Sequence, residues 1–83
     1  MKKYVILGAL WRDEPNGNTY HNTKILDTDT GATYYTGYKY GYGNAYAYDA
    51  KEYIENVLKQ NNYFVYDLGA FRLNKLKVKQ GNF

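Results

Sequence analysis

From residue 34 to residue 48 the even positions read Tyr34, Thr36, Tyr38, Tyr40, Tyr42, Asn44, Tyr46 and Tyr48. Alternate residues of an extended chain share one face, so this spacing predicts a row of phenol rings along a strand ending near Tyr40. Such rings can pack as core with their hydroxyls at the edge. They can also stand exposed as a contact platform, because tyrosine covers much area at low entropic cost and carries a polar tip. The twelve tyrosines are expected to divide between these two roles. Trp11 and Arg12 add side chains of the kinds that anchor protein interfaces, and the expected protein-binding set is Trp11, Arg12, Tyr38, Lys39, Tyr40 and Tyr42. A second constellation lies downstream. Lys75, Lys77 and Lys79 alternate with Leu76 and Val78, so on a strand the three ammonium groups would share one face over about 14 Å. With Arg72 and nearby tyrosines for base stacking, that stripe could track nucleic acid or hold a nucleotide. The same lysines could instead protect a sheet edge from aggregation.

Catalysis has little to work with. The chain has no cysteine and no serine, and His21 is its one histidine, which removes most nucleophilic schemes and any thiolate metal site. Asp29-Thr30-Gly31-Ala32 spells the signature of retroviral-type aspartic proteases, whose two subunits each contribute a carboxylate. Here Asp27-Thr28 stand where an apolar run should carry that aspartate, so a hairpin turn is the better account. Asp27 and Asp29 also begin like a calcium loop, but Gly31 comes one position early and Tyr38 stands where the bidentate Glu belongs. His21 with Asp13, Asp27 or Asp29 would bind a metal only if the fold gathered them. Gly41-Tyr42-Gly43 lacks the third glycine of a dinucleotide fingerprint, and no Gly-Lys-Thr of a phosphate loop is present. No metal and no other cofactor is expected, and the protein is expected not to be an enzyme.

Length and charge agree with a small binding module. At 83 residues the chain suits one domain, 1–83, with stability from packing alone. The apolar run after Met1-Lys2-Lys3 is too short for a signal peptide or a membrane span, so a cytoplasmic protein with no membrane partner is expected. The net charge of +3 is uneven: residues 68–83 hold four Lys or Arg and no acid, and the rest of the chain is close to neutral. An acidic partner is favoured only at that end.

The elements that must position these residues follow from periodicity and turn chemistry. Residues 3–11 read as a strand rich in β-branched and aromatic side chains, in which Gly8 marks a bulge or a close contact. Asn16-Gly17 signals a hairpin, residues 19–27 a second strand, Asp29-Thr30-Gly31 a turn, and residues 32–40 a third strand. Ala50, Tyr53, Ile54, Val57 and Leu58 recur at helical spacing, with Asp49 as N-cap and Glu52 completing a capping box. Residues 63–66 and 71–79 read as further strands around a turn at Gly69. The order β-β-β-α-β-β predicts an α+β fold: an antiparallel sheet of four or five strands with one amphipathic helix on one face. Ile6, Leu10, Ile25, Ile54, Val57, Leu58 and Val65 should fill the core, and the face away from the helix should be the working surface.

At Tyr20-His21-Asn22-Thr23, at Gly37-Tyr38-Lys39-Tyr40-Gly41-Tyr42-Gly43-Asn44 and over the helix of residues 46–58, the sequence resembles small uncharacterised proteins of phages and prophages of Gram-positive bacteria. Many such proteins are anti-defence or host-takeover factors, anti-CRISPR proteins among them, which bind a host protein and occlude its site; a few sequester nucleotide second messengers. The resemblance implies a host protein as partner, in the host bacterial cytoplasm, and carries no catalytic residues over. The leading expectation is thus a phage-encoded inhibitor acting by contact through a tyrosine-rich sheet face. The alternatives are a nucleic-acid or nucleotide binder using Arg72, Lys75, Lys77 and Lys79, and a structural phage component whose open sheet face pairs with a second copy.

Overall fold

The chain begins with a long hairpin. In the computed structural model, which describes residues 1–83, β1 (Lys2–Asp13) and β2 (Asn18–Asp27) pair antiparallel from Tyr4 opposite Asp27 to Asp13 opposite Asn18. The turn falls where Asn16-Gly17 predicts it. Gly17 takes φ +69°, and its amide donates to the Asp13 carbonyl at 2.7 Å. After β2 the Asp27 carboxylate accepts from the amides of Asp29 (2.9 Å) and Thr30 (3.3 Å), which makes Asp-Thr-Gly a turn. The Lys2 ammonium lies 2.9 Å from Asp27 and 3.7 Å from Asp29.

The expected third strand is two short ones, β3 (Thr33–Tyr35) and β4 (Lys39–Tyr40), both paired antiparallel to β2. Gly37, at φ +102°, bends the chain between them and breaks the alternation on which the tyrosine row depended. Tyr34 lies opposite Ile25, whereas Tyr40 lies opposite Tyr20 on the other face. The even-numbered tyrosines therefore do not share a face.

α1 (Ala45–Asn56) starts earlier than the capping pattern predicts, with Asn44 at its N-cap and Asp49 inside it. Tyr46, Ala50 and Ile54 point into the sheet and close a core with Tyr4, Ile6 and Ile25. Leu58 and Val65 pack against that core as expected, but Val57 falls past the last turn and is exposed. Gly8 makes the close approach possible: a Cβ there would stand 2.7 Å from the Tyr46 ring.

The fold is α+β, as the sequence predicts, but its sheet is mixed. β4 is antiparallel to β2 and so runs with β1; a helical crossover returns the next strand, β5 (Tyr63–Arg72), in the same sense, parallel to β1. The strand order is β3-β2-β1-β5, with β4 also on β2. Gly69, expected as a turn between two strands, is a bulge inside one: it takes φ +90° where the register with β1 slips between Ile6 and Gly8. The last expected strand is absent. Its first residues extend β5, and the remainder forms α2 (Lys75–Gln80). The Asn74 side chain caps this helix by accepting from the Lys77 amide at 2.9 Å, and Gly81 ends it in the left-handed conformation. These end signals outweigh a short alternation that fits either period. α2 covers the centre of the face opposite α1, where Val78 and Ala9 are buried and the Asn22 amide donates to the Val78 carbonyl at 2.8 Å. No helix is long and apolar enough to cross a membrane.

Candidate functional site

At the turn end of the hairpin, on the face that carries α2, four aromatic rings meet. The register sets Trp11 of β1 opposite Tyr20 of β2, and Tyr20 opposite Tyr40 of β4. Tyr20 is the centre of the group. Its ring stacks on Trp11 (centroids 5.7 Å apart, planes at 25°) and on Tyr38 (5.0 Å, 10°), and it meets Tyr40 edge-on (5.7 Å, 77°). The Lys75 ammonium, from the first residue of α2, lies 5.2 Å from the Trp11 ring centroid, within cation–π range. Trp11, Tyr20 and Tyr38 are half-buried, and Tyr40 is 58% exposed. Burial pushes the Tyr38 phenol above its ordinary pKa, helped by Tyr20 and the Asp13 carboxylate nearby.

The loop that follows β4 is fastened at Gly41. Its amide donates to the Thr19 carbonyl at 2.9 Å, and its carbonyl accepts from His21 Nδ1 at 3.2 Å. His21 Nε2 meets the Asp49 carboxylate of α1. Both ring nitrogens thus face oxygen atoms, so the imidazole is tied at both ends, to the loop and to the helix. A Cβ on Gly41 would stand 2.9 Å from His21 Cε1 and from Ala45 Cβ, so only glycine fits between the imidazole and the helix. Tyr42, next in sequence and 74% exposed, is therefore presented by a clamped turn.

The structure gathers the expected residues unequally. Trp11, Tyr38 and Tyr40 join one cluster, and Tyr42 follows it in the clamped loop. Arg12 and Lys39 lie opposite Thr19 and His21, on the other face of the same sheet end; Arg12 approaches Glu14 at 3.5 Å. Tyr20 was missed as a site residue. Its signal was the hairpin turn, since pairing outward from Asp13 and Asn18 puts Trp11 against Tyr20. The three-lysine stripe does not form: Lys75, Lys77 and Lys79 lie on a helix, where Lys75 and Lys79, four apart, share a face and Lys77 is turned away from it. Arg72 ends β5 opposite Leu10, on the face of the sheet away from α2.

Two other features bear on chemistry. His21 is 1% exposed with both nitrogens engaged, while the Asp49 side chain keeps 18% exposure. A cleft of about 330 Å³ runs between α1 and β5, lined by Ile6, Ala47, Lys51, Tyr63, Val65 and Asp67. On its walls Tyr46 donates to both Asp67 oxygens at 3.0 Å, and Tyr63 donates to Glu55 at 2.5 Å. Burial foremost, then the Glu55 carboxylate, holds the Tyr63 phenol up at about 12. No protein-family model matches this sequence, and neither the curated proteins nor the solved structures contain a significant match to it.

Proposed function

We propose that this protein is a non-enzymatic binding module that engages a partner protein through the aromatic end of its sheet. The observation that carries this reading is the stack of Trp11, Tyr20 and Tyr38 with Tyr40 set edge-on against it. Rings fixed against one another lose little entropy on binding, and buried aromatic anchors dominate the energetics of protein contacts. Tyr40 and Tyr42 supply the exposed rings, and the Gly41 clamp holds the turn between them. The resemblance to phage proteins extends the reading to a host defence protein as the partner, inhibited by occlusion.

The nucleic-acid alternative has less support. Its three lysines do not form one row, and the faces of Tyr20 are taken by Trp11 and Tyr38, leaving no room there for a base to stack. The test is capture from a Gram-positive bacterial lysate, with and without nuclease and at two salt concentrations. A specific host protein should be retained under all these conditions. Tyr40→Ala and Tyr42→Ala should reduce its capture by about tenfold or more while moving the thermal midpoint little. Nuclease-sensitive capture, or capture indifferent to both substitutions, would overturn the reading.

A further inference from the structure

The two edges of the sheet are built differently. On one side β3 and β4 are short and separated by a bend. On the other, β5 runs for ten residues with only β1 as neighbour, so its outer backbone amides and carbonyls have no strand to pair with. Soluble proteins usually blunt such an edge with proline, lysine or a covering element. β5 contains neither proline nor lysine, and its one irregularity is the bulge at Gly69.

The side chains of this edge are complementary to themselves. Phe64, Tyr66 and Leu68 are 49%, 64% and 59% exposed, and Leu68 lines a groove with Val5, Leu7, Leu26 and Lys24. The only charges in the strand are Asp67 and Arg72, both exposed and neither in an ion pair with its own chain. Register with β1 puts them on one face, opposite Ile6 and Leu10, and puts Phe71, opposite Ala9, on the other. A two-fold axis normal to the sheet, between Gly69 and Ala70, would set Asp67 of each copy against Arg72 of the other. The same axis would set Leu68 against Phe71, with each pair on matching faces. The bulge then falls at the centre, where Gly69 has no side chain to clash. Asp67 is already held in place by the Tyr46 hydroxyl and by the Gly69 amide at 2.7 Å.

We propose that β5 pairs antiparallel with β5 of a second copy, joining two sheets into one through an isologous edge. This surface is distinct from the aromatic end, so either proposal can fail without the other. Sedimentation over a concentration series should give a reversible monomer–dimer equilibrium. Arg72→Glu sets like charges opposite one another twice per dimer and should weaken association by about tenfold or more, with circular dichroism and thermal midpoint retained. Lys79→Glu makes the same charge change on α2 and should leave association unchanged. The chain has no cysteine, so pairing can be read directly. A mixture of Leu68→Cys and Phe71→Cys proteins should form a mixed disulfide that neither forms with itself to a comparable extent. A monomer at every concentration, a dimer indifferent to Arg72→Glu, or failure of the mixed disulfide would each overturn the proposal.

Discussion

The face under α1 and the face under α2 belong to the same strands, yet they are held by different chemistry. Under α1, Tyr4, Ile6 and Ile25 interlock with Tyr46, Ala50 and Ile54, and the helix is retained by buried apolar area. Under α2 a single valine is buried, and the docking relies on polar fasteners: Asn22 to the Val78 carbonyl, and both Tyr35 Oη and Lys24 Nζ to the Phe83 main-chain oxygen. A short helix cannot bury much, so hydrogen bonds that would be left unsatisfied on undocking fix its position instead. The protein thus has one face that resists by area and one that resists by direction.

Substitution can break this contrast. The largest effect is expected at Ile54→Ala, which empties the centre of the α1 face and should cost about 2–5 kcal/mol in chemical denaturation. Asn22→Ala should cost less, about 1–3 kcal/mol, by leaving the Val78 carbonyl and the Gly37 amide that Asn22 Oδ1 accepts from without partners. It should also expose α2 to hydrogen exchange well before α1. Equal exchange in the two helices would mean that they do not dock independently.

The smallest effects are in pH. Lys2, by hydrogen bond and charge, with help from the Asp29 and Thr30 amides, holds the Asp27 carboxyl below its ordinary value. That contribution is present above the usual carboxyl range and is lost as pH falls through the depressed value. The Tyr63 phenol is held up at about 12, so its contribution is present below the ordinary phenol value and is lost as pH rises toward 12. The acid limb of a stability profile should therefore flatten in Asp27→Asn and the alkaline limb in Tyr63→Phe. Tyr63→Phe should leave the acid limb unchanged, whereas Asp27→Asn also frees Lys2, whose ammonium Asp27 holds above its ordinary value, and so removes a smaller part of the alkaline limb as well.

Signals that act within a few residues were legible in the sequence. Asn16-Gly17 and Asp29-Thr30-Gly31 are turns, residues 3–11 lie in a strand, and Ala50 and Ile54 face the core. What stayed hidden depends on partners distant in the chain. Asp49 looks like a cap until His21, far away in sequence, takes its carboxylate, and the helix then starts at Ala45. Residues 75–79 alternate like a strand, and only the cap from Asn74 and the buried seat for Val78 make them helical. At the candidate site the residue types were readable but their grouping was not. Gly37 flips the alternation between Tyr34 and Tyr40, and that change depends on one backbone angle.

Trp11 is the only indole in the chain, and it sits between Tyr20 and the ammonium of Lys75 at the start of α2. Its emission is consequently a built-in optical gauge. Release of α2 withdraws a cation from the ring and admits water to it, whereas loss of the α1 core leaves both contacts in place until the hairpin itself opens. Excited selectively beyond the tyrosine band, the native protein reports the docking of its C-terminal helix without any label.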